Sequence, residues 1–242
     1  MNKKWTGWVV TAVILLTTVG CIGGLEVGPT QTETETIERN DASSVRVDIQ
    51  MGIGKLNVDG GANDLLDAGF TYNVPAWKPE VAYEVRGGEG RLTVSQPDAE
   101  IKSLNIPDSD IEYEWDLKLN DDVPMDLEID LGVGESYLEL GGLLLTDLDI
   151  NMGVGETTVD LTGDWQQSVD INIDGGIGST TVILPSNVGV QVKTETGIGS
   201  INVHGLIANG DTYSNAAYDS ADVILTIDVN GGIGEINLQM EE

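Results

Sequence analysis

Alternating apolar and polar residues lead into and out of a short glycine motif that recurs six times along the chain. Each copy is a triplet with Ile or Val between two glycines, and the glycine pairs are Gly52 and Gly54, Gly132 and Gly134, Gly153 and Gly155, Gly176 and Gly178, Gly197 and Gly199, and Gly232 and Gly234. The last five triplets begin 21, 23, 21 and 35 residues apart. Repetition at a period of about 20 to 50 residues is typical of stacked repeat architectures.

The residues on either side of each triplet predict β-strands. Leu127, Ile129 and Leu131 alternate with acidic residues before one triplet, and Thr180 and Val182 follow another at every second position. A period of two is typical of a strand with one buried face. Glycine permits a sharp turn, so each unit is predicted to be a strand, a corner and a second strand. We expect the Ile or Val between the glycines to point inward and fill the corner.

One such unit cannot bury its own apolar face, but units stacked on one another share a continuous core. The sequence therefore predicts an all-β fold, a parallel β-solenoid with coils of about 21 residues. We expect the solenoid to span residues 116–242, with about five coils. Residues 44–115 are predicted to form a separate β-rich region before it, because their strands are bounded by Pro and Gly at irregular intervals.

Stacking in register would place equivalent acidic residues in columns. Asp149 stands four residues before its triplet, and Asp130 and Asp174 stand two residues before theirs. Carboxylates about 4.8 Å apart repel by about 0.9 kcal/mol even in bulk water. We therefore expect salt to stabilise the fold, and we regard Asp130, Asp149 and Asp174 as a weak candidate Ca²⁺ site.

Residues 1–21 have the pattern of a signal peptide. Lys3 and Lys4 precede a short apolar run, and the sequence Thr18-Val19-Gly20-Cys21 resembles the lipobox of prokaryotic lipoproteins, in which the Cys is lipidated. The resemblance implies that Cys21 carries lipid; the alternative is an uncleaved signal anchor. Residues 22–43 are poor in apolar side chains and are predicted to be a disordered tether. The expected location is the cell membrane, lipid-anchored on the extracytoplasmic face.

The net charge narrows the range of partners. The chain has 11 basic and 41 acidic residues, a net charge of −30. Nucleic acid is excluded as a partner, because phosphate binding requires basic side chains. Adaptation to high salt and attraction of cations or basic partners both remain compatible with this composition.

Candidate catalytic and metal-binding motifs are weak. His204 is the sole His and Cys21 the sole Cys, so they cannot complete a zinc site. The triplets differ from calcium-binding β-roll repeats, because Thr180 and Ile236 occupy the position of the ligating Asp. The acidic residues occupy outward strand positions, whereas a glycosidase needs one acid in an apolar pocket. We predict no enzymatic activity and no cofactor.

Several motifs in order carry a family resemblance. They are Met51–Leu56, Phe70–Asn73, Trp77–Pro79, Gly90–Val94 and Trp115–Asn120. Together they resemble the toast-rack family of cell-envelope proteins over residues 44–242. The C-terminal part of that family is similar to adhesin-like β-solenoids and to the outer domains of cell-wall-active antibiotic response proteins. The resemblance implies a fold but supplies no catalytic residues.

Two functions are therefore expected. The first is a structural or adhesive interaction module that binds an envelope polymer or protein. The alternative is a sensory or regulatory protein that binds a membrane partner under envelope stress. The chain carries no convincing second membrane segment for signalling, which favours the first.

Overall fold

Strands account for almost all the regular structure. The computed structural model describes residues 27–97 and 111–241. These residues form thirteen strands: β1 (Gln31–Ile37), β2 (Ser44–Asp59), β3 (Leu66–Tyr72), β4 (Glu80–Arg86), β5 (Glu89–Ser95), β6 (Tyr113–Leu119), β7 (Met125–Glu139), β8 (Leu145–Asp160), β9 (Val169–Leu184), β10 (Gly189–His204), β11 (Ile207–Asn209), β12 (Thr212–Ser214) and β13 (Ile224–Met240). No helix within the described ranges has the length and hydropathy needed to cross a bilayer.

Six long strands stack in parallel as the coils of a solenoid. Their order is β2, β7, β8, β9, β13 and β10, and each glycine triplet pairs with the triplet of the neighbouring coil. The predicted parallel β-solenoid is confirmed. Residues 116–242 form the predicted five coils, and β2, whose triplet is in register with the others, adds a sixth.

The coil order differs from the chain order at one point. The chain leaves β9, forms β10 at the end of the stack, and returns as β13 between those two strands. Residues 205–223 make this return, and their hairpin of β11 and β12 pairs with β10 at Gln191–Lys193. This return accounts for the 35-residue spacing before the last triplet.

The core lies between the two limbs of each bent strand. Before the corner, Ile129, Ile150, Ile173 and Val229 form one buried column. After the corner, Leu138, Val159, Val182 and Leu238 form another. Each such side chain contributes about 1.5–3 kcal/mol when fully buried. The repeat therefore builds one continuous core along the stack.

The predicted direction of the corner side chains is wrong. Val133, Val154 and Ile177 are 47%, 46% and 52% exposed, so they point away from the core. Leu131 and Ser136 on either side of one corner are buried and fill its inside. The chain turns around these two side chains, which leaves Val133 on the convex side.

The glycines are needed because neighbouring coils approach closely at the corner. A Cβ on Gly178 would collide with the carbonyl oxygen of Gly155, and Gly178 has a φ of +143°. The same relation holds for Gly134 with Gly54. L-residues rarely adopt this backbone conformation, so both space and φ select glycine.

Shorter strands cover the first coil. β5 pairs with the first limb of β2, and β6 pairs with its second limb. β6 continues antiparallel to β3, where the Phe70 and Trp115 rings meet edge-on with centroids 5.6 Å apart. The predicted boundary between residues 115 and 116 falls inside β6, so it is wrong: the N-terminal region and the solenoid share one sheet.

The prediction of a disordered tether over residues 22–43 is also wrong for the described part of that segment. Gln31–Ile37 forms β1 and pairs antiparallel with β3. Glu33 holds this strand in place, because it accepts hydrogen bonds from the Tyr72 hydroxyl at 2.8 Å and from Lys78 Nζ at 2.6 Å. These bonds lower the pKa of Glu33, with the Lys78 bond the largest cause. The alternating Thr residues suit an edge strand.

Gly178→Ala tests the close approach at the corners. The added Cβ meets the backbone of Gly155, so we expect a loss of about 3 kcal/mol or more in the free energy of unfolding. Gly142→Ala is the matched control, because no atom lies within 4 Å of its Cβ position. Urea denaturation of both variants measures the difference, and equal midpoints would contradict the glycine argument.

Ile177→Asp tests the outward direction of the corner side chain. Ile177 is half exposed, so we expect a loss below about 1 kcal/mol in unfolding free energy. Ile173→Asp, on the buried face of the same strand, should cost more than about 4 kcal/mol because its charge would be unpaired. Thermal melts of the two variants give the comparison. A melting temperature for Ile177→Asp as low as that of Ile173→Asp would contradict the outward direction of Ile177 and support the inward direction predicted from the sequence.

Candidate interaction surface

The six corner residues form an apolar column along the solenoid, in which Ile53 is partly buried and the other five side chains are exposed. We call this column the apolar ridge; its members, in stacking order, are Ile53, Val133, Val154, Ile177, Ile233 and Ile198. Exposure reaches 70% at Ile198. At about 4.8 Å between parallel strands, the ridge is about 24 Å long. A contiguous apolar surface of this kind is a typical feature of an interaction site.

Charged and polar columns border the ridge on both sides. The column before it contains Gln50, Asp130, Asn151, Asp174, Asn230 and Glu195. The column after it contains Lys55, Glu135, Glu156, Ser179, Glu235 and Ser200. The surface is therefore an apolar strip with acidic borders, which favours a partner that is apolar at its centre and basic or uncharged at its rim.

Amide side chains separate the carboxylates in the column before the ridge. Asn151 Nδ2 donates to Asp130 Oδ1 at 3.0 Å, and Asn230 Nδ2 donates to Asp174 Oδ1 at 2.9 Å. These bonds replace the repulsion that two stacked carboxylates would have. The strand pairing confirms the predicted register of this column. Because β13 lies between β9 and β10, Asn230 stacks next to Asp174 and not at the end of the column.

The three predicted metal ligands do not converge. Asp149 lies in the neighbouring column and accepts a hydrogen bond of 2.8 Å from Asn172 Nδ2. Within residues 27–97 and 111–241, no group of three or more His, Cys, Asp or Glu is placed to hold a metal ion. Calcium binding at Asp130, Asp149 and Asp174 stays a prediction. In this geometry each carboxylate already has an amide donor, so screening by salt is the simpler effect.

The column that contains Asp149 ends in Lys193, and Arg46 from an adjacent column contacts its other end. Its order is Asp48, Glu128, Asp149, Asn172, Asp228 and Lys193. At the first coil, Arg46 contacts Asp48 at 3.0 Å, Asp126 at 2.9 Å and Glu128 at 2.5 Å. These carboxylates raise the pKa of Arg46, with the charge of Asp126 the largest cause. Lys193 pairs with Glu195 at the last coil.

Asp147 lies among several acidic neighbours. Partial burial raises its pKa first, and the charges of Asp149, Asp126 and Asp170 raise it further. Asp147 is directly paired with Asp126 in the register of β7 and β8. The carboxylate form of Asp147 is therefore destabilised in the folded state.

The other predicted site residues lie apart from the ridge or outside the described part of the chain. His204 is exposed at the end of β10. Cys21 lies outside the described residues. The ridge itself was missed in the sequence, because period-two alternation does not continue through a corner. The signal that could have identified it is that all six copies place Ile or Val between the glycines.

Two family models match the chain. The N-terminal domain of toast-rack proteins matches residues 26–183. The C-terminal domain of LiaF, described as a cell wall-active antibiotics response protein, matches residues 133–238. Among curated proteins, no sequence matches this chain.

Solved structures include one with substantial sequence identity. A candidate cell adhesion protein from Clostridium sporogenes ATCC 15579 is 34% identical, covers 88% of this chain and 100% of its own chain, and superposes with a TM-score of 0.84. A candidate adhesin from Bacteroides fragilis NCTC 9343 is 11% identical, with 87% of this chain and 97% of its own covered, at a TM-score of 0.32.

Asp147→Asn should stabilise the protein at neutral pH. A carboxyl whose folded pKa is raised contributes stability below its unfolded pKa and loses that stability as pH rises through the folded pKa. Removing the charge should therefore raise the melting temperature at pH 7 and low salt by about 1–2 °C. The gain should shrink in high salt and vanish at acidic pH, where the native carboxyl is protonated. A lower melting temperature for the variant at pH 7 would contradict this account of the column.

Proposed function

This chain belongs to the toast-rack family, and we propose that it is a non-catalytic, lipid-anchored protein of the extracytoplasmic face of the cell membrane that binds an envelope partner through the apolar ridge. The single observation that supports the ridge as the binding surface is its column of six Ile and Val side chains, five of which are exposed. The acidic borders of the ridge make a basic or neutral protein or wall polymer the complementary partner.

The adhesive character of this proposal rests on two supports. The candidate cell adhesion protein from Clostridium sporogenes is similar over its whole length. A stack of six coils with one continuous core also provides a rigid, extended face, as other solenoids do for their partners.

The anchor proposal rests on the lipobox-like Thr18-Val19-Gly20-Cys21. Lipid on Cys21 would join the membrane to β1, which lies at the outer end of the sheet, next to β3. The solenoid would then extend away from the N-terminal end of the fold. This arrangement keeps the ridge accessible above the surface.

No catalytic step is assigned to the described residues. Among the described carboxyls only Asp147 has a raised pKa, and it is exposed on a strand face instead of held in an apolar pocket. Burial raises the pKa of Tyr72 to about 12, and its hydroxyl donates the hydrogen bond to Glu33 that helps to hold β1 in place. Both shifts have structural explanations.

A regulatory role is the second candidate. The match of residues 133–238 to the C-terminal domain of LiaF favours it. In that case the ridge would bind a membrane signalling protein under wall stress. The two functions differ in whether the partner is bound constitutively.

Photo-crosslinking in intact cells distinguishes these functions. A crosslinker at Glu156, beside the ridge, should capture the partner, and the Ile177→Ser/Ile233→Ser variant should reduce capture at least tenfold because it removes the centre of the ridge. Ile207→Ser is the matched control, since Ile207 is 63% exposed but lies on β11, away from the ridge. Capture of the same partner with and without wall stress supports the adhesive role. Capture of a signalling protein only under stress supports the regulatory role. If the ridge variant captures the partner as well as the unaltered chain does, the ridge is excluded as the binding surface.

Cys21→Ser tests the anchor. Without the thiol no lipid can be attached, so we expect loss of incorporation of a fatty-acid analogue and an unprocessed chain. Metabolic labelling followed by membrane fractionation measures both properties. Label retained in the Ser variant would show that Cys21 is not the lipidated residue.

A further inference from the structure

The two ends of the solenoid are protected to different degrees. At the first coil, β5 covers Ser44–Gln50 and β6 covers Lys55–Asp59. The core residues Leu56 and Val58 in the second limb of β2 are consequently buried. Both limbs of β2 are therefore paired on their outer edges.

The last coil is covered over its first limb only. β12 pairs with β10 at Gln191–Lys193, and within residues 27–97 and 111–241 no strand pairs with the outer edge of β10 beyond Thr194. Ile201 and Val203, which stack on the buried Ile236 and Leu238, are only partly buried as a result. The second limb of β10 is a free sheet edge, and its core-side residues Ile201 and Val203 are incompletely covered.

The free edge lacks the usual protection by charge. Residues Thr196–His204 contain no Asp, Glu, Lys or Arg, although the chain has a net charge of −30. Exposed edges in soluble proteins are commonly blocked by charged residues, proline or bulges. A neutral edge with β-branched residues is instead suited to pairing with another strand.

We infer that the second limb of β10 pairs antiparallel with the same limb of a second copy, about a twofold axis at Asn202. In this register Ile201 of each copy lies opposite Val203 of the other, on the core side of the extended sheet. Ser200 lies opposite His204 on the outer side. The edge is thus self-complementary, as a twofold interface requires.

Charge favours this end-to-end arrangement over other contacts between copies. The solenoids extend away from the interface in opposite directions, so the acidic columns of the two copies are kept far apart. A side-by-side contact would bring those columns together across the ridge. Repulsion between acidic surfaces therefore selects the neutral end.

This contact goes beyond the proposed ridge function, because it uses another surface and a second copy of the chain; only its consequence for membranes rests on the proposed lipid at Cys21. β1 and β10 lie at opposite ends of a path of nine strands, about 38 Å apart at normal strand spacing. In the dimer the two β1 strands, and with them the lipid anchors, lie at the two outer ends. The dimer is therefore built to bridge two membranes, with the same protein on each.

Disulfide trapping tests the contact directly. In the purified full-length chain in detergent, Asn202→Cys should form a covalent dimer under mild oxidation, because the two Cα atoms at the axis would lie about 4.5–5.5 Å apart. Thr181→Cys is the matched control, since it occupies the same column two coils inside the stack and is equally half-buried. The unaltered chain gives the background from Cys21. Dimer yields for Asn202→Cys no higher than for Thr181→Cys would overturn the inference.

Bridging of vesicles tests the consequence. Phosphatidylcholine vesicles carrying the full-length chain should cluster, and Val203→Lys should abolish clustering while its thermal melt stays close to that of the unaltered chain. The Ile177→Ser/Ile233→Ser variant should still cluster, because the ridge is not used in this contact. If Asn202→Cys is trapped as a dimer while the Ile177→Ser/Ile233→Ser variant captures its partner as well as the unaltered chain does, the proposed ridge function is wrong and the end contact is retained. Clustering that survives Val203→Lys would overturn the bridging arrangement.

Discussion

Close approach of glycine backbones between neighbouring coils is the constraint on which this structure depends. The carbonyl oxygen of Gly155 occupies the place of a Cβ on Gly178, and the carbonyl oxygen of Gly178 does the same for Gly234. Such contacts are possible only where the residue that approaches the carbonyl oxygen is glycine. They therefore fix the register of all six coils at the corner, and the strands on either side follow.

A fixed register stacks like residues on like residues, with both benefit and cost. In the core it produces continuous columns of Ile, Leu and Val. On the surface it would produce columns of carboxylates, but Asn151 and Asn230 lie beside Asp130 and Asp174 and donate hydrogen bonds to them. Arg46 neutralises the first coil. At the convex corner the same register creates the apolar ridge between acidic borders, which is the surface assigned to binding.

The repeat made the solenoid and its register predictable, because spacing and alternation depend on local backbone geometry. The direction of Ile177 was not predictable from alternation, since the buried parity changes across the corner between Ile173 and Thr180. The position of β13 before β10 depends on how the 205–223 return folds over the stack. β1 resembled a tether because its stability comes from Tyr72 and Lys78, which are distant in sequence.

The ridge is the most direct consequence of the register, and a distance along its exposed part tests the central claim. Nitroxide labels at Val133 and Ile198, which are 47% and 70% exposed, would lie on the second and last coils, on the outer side of the corner. Pulsed electron paramagnetic resonance should give a narrow distribution near about 19 Å, plus the label linkers, and continuous-wave spectra should show mobile labels. Immobilised labels, or a broad distribution without a defined maximum, would contradict a single in-register stack with outward-facing corners.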